Sequence, residues 1–407
     1  SNSCNVFCNH RTFSGGPCRT NNYLEFHTPI IAYIFRYSAI IEIIMRVSRK
    51  FIIALLIILG LAVIVASSFF VDYRDIASKA SIDNSAKNDV QTPPAKIVED
   101  PKIRFTAVGD FDSGEKFDQT LANIKKSDSS YTLALGDFSY GKITEQQWCS
   151  RVTSVLGSKP FEIVPGNHDI EPKSQLANFS RCLPNRINDI VGSYPDRYYF
   201  DKDKTLRTIV ISPDVAIESH PNKFKTGSEE LLWVEKTLRE AKEQNIRWTV
   251  VAMHKNCLTI GEKTCEIGQP LNDLLIKNNV DLILQGHEHA YMRSNQLAIS
   301  PTCLSIMPSK VNSKSCVVTG KDSLYNKGDG SIIAIVGTGG ADPRAINKSS
   351  LSFPLFSKYL GLFNDPTYGI LEVEISNNNL TAKMIENETG KVKDTFSIQY
   401  KDKNPNN

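Results

Sequence analysis

Histidine is scarce in this chain, with seven residues among 407. An excess of either charge is nearly missing as well: 47 basic and 44 acidic side chains leave a formal net charge of +3. No basic block is long enough to line a phosphate backbone, so no nucleic-acid partner is expected. No internal repeat recurs, which excludes a repeat array, and the only biased tract is one short polar stretch. What is present suits folding, since 41% hydrophobic residues over this length allow one large or two ordinary domains.

Residues 51–71, FIIALLIILGLAVIVASSFFV, hold no ionisable side chain over 21 positions and are long enough to cross a bilayer core as a helix. Arg46, Arg49 and Lys50 precede this run, and the positive-inside bias then exports everything after residue 71. A cleaved signal peptide is the competing reading, with Ala66 and Ser67 as small residues for the cut. The run exceeds a usual signal core, so a retained anchor is expected, holding the rest of the chain on the extracytoplasmic side. Residues 1–44 open on Ser, and Met45 with its basic followers reads as a start, so an over-extended frame is the expectation for 1–44. Their Cys4, Cys8, His10 and Cys18 fit no paired zinc spacing. The organisation expected is therefore an extension (1–44), an anchor or signal (45–72), a polar, proline-closed tether (73–102) and one folded domain (103–400).

Beyond the apolar run stand six cysteines: Cys149, Cys182, Cys257, Cys265, Cys303 and Cys316. An even count in an exported domain implies disulfides. Pairing Cys257 with Cys265 and Cys303 with Cys316 closes short loops and leaves Cys149 with Cys182, among fifteen pairings that remain open. Sequons at Asn178, Asn347, Asn379 and Asn387 suit the same compartment.

Short β-branched runs then recur: IRFTAVG, YTLALG, FEIVPG, LRTIVIS, RWTVVAM, DLILQG and SIIAIVG. Their length and composition predict strands. Between them SEELLWVEKTLREAKEQ predicts a helix with Ser228 as N-cap and Leu231, Val234, Leu238 and Ala241 on one face. Strands alternating with helices define an α/β class, and YGILEVEI, LTAKMIE and TFSIQY predict a closing antiparallel segment.

In α/β sheets, ligands bind just past the carboxyl ends of strands. TAVGD delivers Asp110 there, LALGD Asp137, IVPGNHD Asn167 and His168, VVAMH His254, and ILQGHEH His287 and His289. One such residue is most simply a turn former or a satisfied core histidine. Five strand ends together offer two carboxylates, an amide oxygen and three imidazoles. That is too many donors for one tetrahedral zinc, but it suits two adjacent metals sharing a carboxylate, with His287 and His289 divided between them.

The ordered set GD, GDxxY, GNHD, a histidine after an apolar strand, and GHxHAYxRS resembles the calcineurin-like metallophosphoesterases, and within them the purple acid phosphatases. The resemblance implies a metallophosphoesterase β-sandwich flanked by helices. It implies that Asp110, Tyr140 and His289 hold Fe(III), that Asn167, His254 and His287 hold a divalent ion (Zn, Mn or Fe), and that Asp137 bridges. Asp112 occupies the position where the wider superfamily has a histidine, which strengthens the tyrosine reading; it is an extra ligand or a turn residue. The implied activity is phosphate-ester hydrolysis by a metal-activated hydroxide, chiefly of monoesters. His168 would protonate the leaving group, Asp169 would orient that imidazole, and Asn167 and Arg293 would contact the phosphate. Lys255 or His220 would stand in for leaving-group histidines missing from KNCLTIGEKTC. The alternatives are a phosphodiesterase or nucleotide hydrolase with the same centre, or a silent surface-binding module on the same fold.

Overall fold

The chain lays down β1 (Ile103–Val108), β2 (Tyr131–Ala134) and β3 (Phe161–Ile163) as parallel neighbours, crossing over through helices α1 (Glu115–Lys126) and α2 (Glu145–Leu156). After α3 (Leu176–Cys182) it passes to a second sheet with β4 (Val191–Ser193), β5 (Arg197–Lys202) and β6 (Leu206–Val210). Helix α4 (Glu229–Glu243) leads to β7 (Trp248–Ala252), and α5 (Gln269–Lys277) to β8 (Leu282–Gln285) and β9 (Tyr291–Ser294). Strand β10 (Leu324–Asn326) rejoins the first sheet, whereas β11 (Ile332–Val336) and β12 (Phe356–Leu360) extend the second. The antiparallel run β13 (Gly369–Ile375), β14 (Asn379–Glu386) and β15 (Val392–Gln399) completes the first.

This computed structural model describes residues 102–400 apart from 171–174, 218–219, 222–223, 308–312 and 320–322, all within one compact unit, Ile97–Asn407. The extension, the apolar run 51–71 and most of the tether lie outside the described residues, as does the side chain of His220. Among the described residues no helix is long and apolar enough to cross a membrane.

The first sheet has seven strands in the order β10-β15-β14-β13-β1-β2-β3, and the second has eight in the order β12-β9-β11-β8-β7-β6-β5-β4. One core joins them: Phe105, Leu133 and Val373 from the first sheet share a cluster with Tyr198, Trp248, Leu284 and Val336 from the second. Helices α1 and α2 pack into the same cluster through Leu121, Ile124, Trp148 and Val152. On the far side of the second sheet α4 and α5 bury Val234, Leu238, Leu271 and Leu275. Strands β6, β8 and β11 are buried along their whole length, which is why their sequences are apolar runs rather than alternations. Ser228 caps α4 by accepting from the Leu231 amide at 3.2 Å; Val234, Leu238 and Ala241 are buried as expected, Thr237 joins them, and Leu231 packs beside them half-buried.

Disulfides join Cys149–Cys182, Cys257–Cys265 and Cys303–Cys316. Of the sequons, Asn347 and Asn379 are exposed. Asn387 instead donates to Thr120 Oγ1 at 2.7 Å and accepts from Asn123 at 3.0 Å, so its amide is engaged in packing the α1 face.

Candidate metal centre

A short turn follows each of β1, β2, β3, β7 and β8, and the turns converge. Glycine makes the closest approaches possible. Gly136 has φ +84°, and a Cβ there would stand 2.6 Å from His254 Nδ1; one on Gly166 would stand 2.2 Å from Asp137 Oδ1.

Two groups of donor atoms result. In the first, the Tyr140 hydroxyl donates to Asp110 Oδ1 at 3.2 Å and lies 3.0 Å from His289 Nε2, which is 3.5 Å from the same Oδ1. In the second, His254 Nε2 lies 3.3 Å from Asp137 Oδ2 and 3.2 Å from His287 Nδ1. One donor atom each from Asp137, His254 and His287 falls within 4.8 Å of the others. Asn167 Oδ1 is buried without a hydrogen-bond partner.

The outward nitrogens fix the tautomers. His254 Nδ1 is 2.7 Å from the Leu135 carbonyl, His289 Nδ1 is 2.9 Å from the Asp342 carbonyl, and His287 Nε2 is 2.9 Å from Glu266 Oε1. Carbonyl and ionised carboxylate oxygens only accept, so these nitrogens carry the protons. Lone pairs are left on His289 Nε2 and His287 Nδ1, and one appears on His254 Nε2 once a cation displaces the second proton that Asp137 holds there; these are the three nitrogens inside the two groups.

Electrostatics favour added positive charge. Burial, helped by Asp137, pushes the Asp110 carboxyl up to about 7, and burial with Asp110 and Asp137 pushes the Tyr140 phenol well above its ordinary value. Burial would lower His254, but the Asp137 and Asp110 carboxylates outweigh it and lift the imidazole to about 9. Burial lowers His287 and His289 to about 4, in the latter case with the Arg344 charge adding to it, so both are neutral at neutral pH. Facing lone pairs, crowded carboxylates and an orphaned amide oxygen are the features that a pair of cations would satisfy, so the residues fit a two-metal centre.

The remaining expected residues stand outside the two donor groups. His168 is half-buried at the rim, its Nε2 4.0 Å from Asp137 Oδ2 and its ring 4.6 Å from that of Tyr140. Asp169, expected to orient the His168 imidazole, is fully buried and accepts instead from the backbone amides of Asp137 (2.9 Å), Phe138 (2.8 Å) and Gly166 (2.8 Å). The short helical turn Asn167–Asp169 swings its carboxylate inward, where it ties the Asp137 and Gly166 turns together. Arg293, expected to contact phosphate, is corrected likewise. It is 3% exposed and held by Asp394 through Nε (2.7 Å) and Nη2 (3.1 Å), with Nη1 on Ser357 Oγ at 2.8 Å. Its strand position shares a side with Tyr291, which also donates to Asp394, so both reach into the sheet interior. Asp112 is a turn residue, with φ +62° and an ion pair to Lys142 at 2.7 Å. Lys255 is taken up by Asp214 (2.9 Å) and Glu266 (2.7 Å).

Three residues at the site were missed from sequence. Arg344 donates from Nη1 to the His287 carbonyl at 2.8 Å and from its amide to that of His289 at 2.9 Å. It closes GTGGADPR, the loop after β11, which the sequence marks as a rim loop or a tight turn without singling out its arginine. Glu288 lies inside ILQGHEH, between the two histidines that the strand-end rule picks out, whereas no spacing signal announces Glu266.

Residues 103–291 match the sequence model of the calcineurin-like phosphoesterases, a segment that contains every residue of both donor groups. The resemblance read from the motifs therefore holds at the level of that class. Curated relatives narrow it further. A probable purple acid phosphatase 20 of Arabidopsis thaliana is 28% identical over 220 residues, covering 51% of this chain and 49% of its own length. Purple acid phosphatase 21 of the same plant is 28% identical over 216 residues, covering 50% and 46%. The chain thus spans about half the length of the curated relatives it matches. In structure, a purple acid phosphatase from yellow lupin (Lupinus luteus) seeds superposes with a TM-score of 0.55 at 18% identity, over 74% of this chain and 54% of that one, which places the two in one α/β metallophosphoesterase fold.

Proposed function

We propose that the domain is a binuclear, purple-acid-phosphatase-like phosphomonoesterase. The observation that carries the reading is the pair of donor groups, one of Asp110, Tyr140 and His289, the other of Asp137, His254 and His287 with the orphaned Asn167 oxygen. Asp110, Tyr140 and His289 would hold Fe(III), the second group a divalent ion, with Asp137 shared. When bound, the ions supply Lewis acidity: they neutralise phosphoryl charge and lower the pKa of water. The protein's own residues do the rest. Asp169 fixes the turns that carry Asp137 and Asn167. Arg344, anchored on the histidine carbonyls, puts fixed positive charge beside the phosphate in the role first given to Arg293. His168 stands at the open rim, where a proton can pass to the leaving oxygen.

Comparing hydrolysis of a simple aryl phosphate monoester with that of its diester by the purified exported portion tests the reading. A clear preference for the monoester is expected; preference for the diester would reassign the domain as a phosphodiesterase, and no hydrolysis by metal-loaded protein would leave a silent binding module. A Fe(III) ion on Tyr140 should colour the protein, and Tyr140→Phe should bleach it. Three disulfides suit an oxidising compartment, and the apolar run 51–71 would tether the domain at a membrane there.

A further inference from the structure

Of the three imidazoles in the donor groups, two donate outward to neutral backbone carbonyls, and His287 alone donates to a carboxylate, Glu266 Oε1 at 2.9 Å. That carboxylate is set firmly. Its Oε2 is 2.7 Å from Lys255 Nζ, which also binds Asp214 at 2.9 Å, and Lys255 is the neighbour in sequence of the donor His254. Its backbone amide donates to the Asn256 carbonyl at 2.9 Å, returning the chain to where it left the site.

The intervening loop is closed by the Cys257–Cys265 bridge, which ends one residue before Glu266. The loop also lies against the His-x-His segment. Glu288, between the two histidines, accepts from the Lys263 amide and from Thr259 Oγ1 at 3.2 Å, and a Cβ on Gly261 would stand 2.4 Å from the Glu288 carboxylate carbon. Bridge, clamp and ion pair all serve to hold one carboxylate against one imidazole.

We infer that Glu266 is a positioning residue for the second cation site, acting through His287: it accepts the hydrogen bond from Nε2–H, keeps the Nδ1 lone pair turned toward His254 and Asp137, and makes that nitrogen more basic. The inference rests on the binuclear reading above. Lys255, absent any leaving-group role, has its place here as the group that holds the other carboxylate oxygen.

The test is the affinity of the full chain for Co(II) at the second site, measured by chelator competition and followed in the Co(II) absorption spectrum, with iron content recorded in parallel. Glu266→Ala should weaken Co(II) binding by roughly 10- to 100-fold and leave iron content unchanged. Glu266→Gln keeps an accepting oxygen at the same reach and should recover most of that loss. Glu266→Asp keeps the charge but falls short by one methylene and should behave like the alanine variant, which also serves if the alanine protein does not fold. Wild-type affinity in the Ala or Asp variants, or a Gln variant as weak as Ala, would overturn the assignment. A wild-type protein that takes up iron but no second divalent ion would bring down the binuclear reading instead.

Discussion

Asp110, Asp137, Tyr140 and His287 all stand on left-handed backbone, with φ of 59°, 56°, 53° and 70°. For non-glycine residues that conformation costs on the order of 1 kcal/mol each. Their clustering in one place marks strain tolerated for geometry, since the turn must reverse sharply to aim a side chain back across the strand ends. Arg293 has the opposite character, a buried cation satisfied by a bidentate carboxylate. Arg293→Ala should destabilise the fold by about 3–5 kcal/mol in denaturant unfolding, because it strands Asp394 without its partner, while metal content of the folded fraction stays unchanged. Glu162 gives a pH prediction. Burial pushes its carboxyl up to about 7, and its Oε2 has no hydrogen-bond partner. Below the unfolded value of about 4.5 both states are protonated; as pH rises through 7 the unfolded chain ionises more readily and folded stability is lost. Thermal melts of Glu162→Gln should therefore lack that decline, and by pH 8 the variant should gain on wild type by on the order of 2–3 kcal/mol relative to pH 4. Parallel melting curves for the two proteins from pH 4 to 8 would refute this.

At the scale of elements, strand ends are what the sequence makes legible. Asp110, Asp137, Asn167, His254 and His287 each follow a short buried run, and a parallel strand buried on both faces announces itself as an unbroken apolar stretch. Strands β5, β9 and β12 escaped that reading, because RYYFDK, YMRS and FSKYL carry charges that are satisfied only across the sheet or at its edge. Glu266 and the partners of Asp169 escaped it too, since the contacts that define them join segments far apart in sequence: Glu266 with His287, and Asp169 with the Asp137 turn. Asp169 is the staple between two of these turns. Asp169→Ala would leave three buried amides without an acceptor, at roughly 1–3 kcal/mol each before relaxation. The expected outcome is a lower thermal midpoint together with loss of both ions in metal analysis. An Asp169→Ala protein with normal metal content and stability but an altered pH–rate profile would restore the orienting role first expected of it.

For the whole molecule, two sheets share one core, and both donor groups gather where strands of both sheets end: β1, β2 and β3 from the first, β7 and β8 from the second. The candidate site is thus a property of the sandwich rather than of any motif, and six of its seven expected donor residues bring a polar atom to within hydrogen-bond or ion-pair distance of another in their group. The most direct measurement is a crystal structure of the metal-loaded domain with anomalous data collected at the iron and zinc edges. Two peaks are predicted, one among Asp110, Tyr140 and His289 and one among Asp137, Asn167, His254 and His287. A single peak bound by one group, or none at either, would contradict the account.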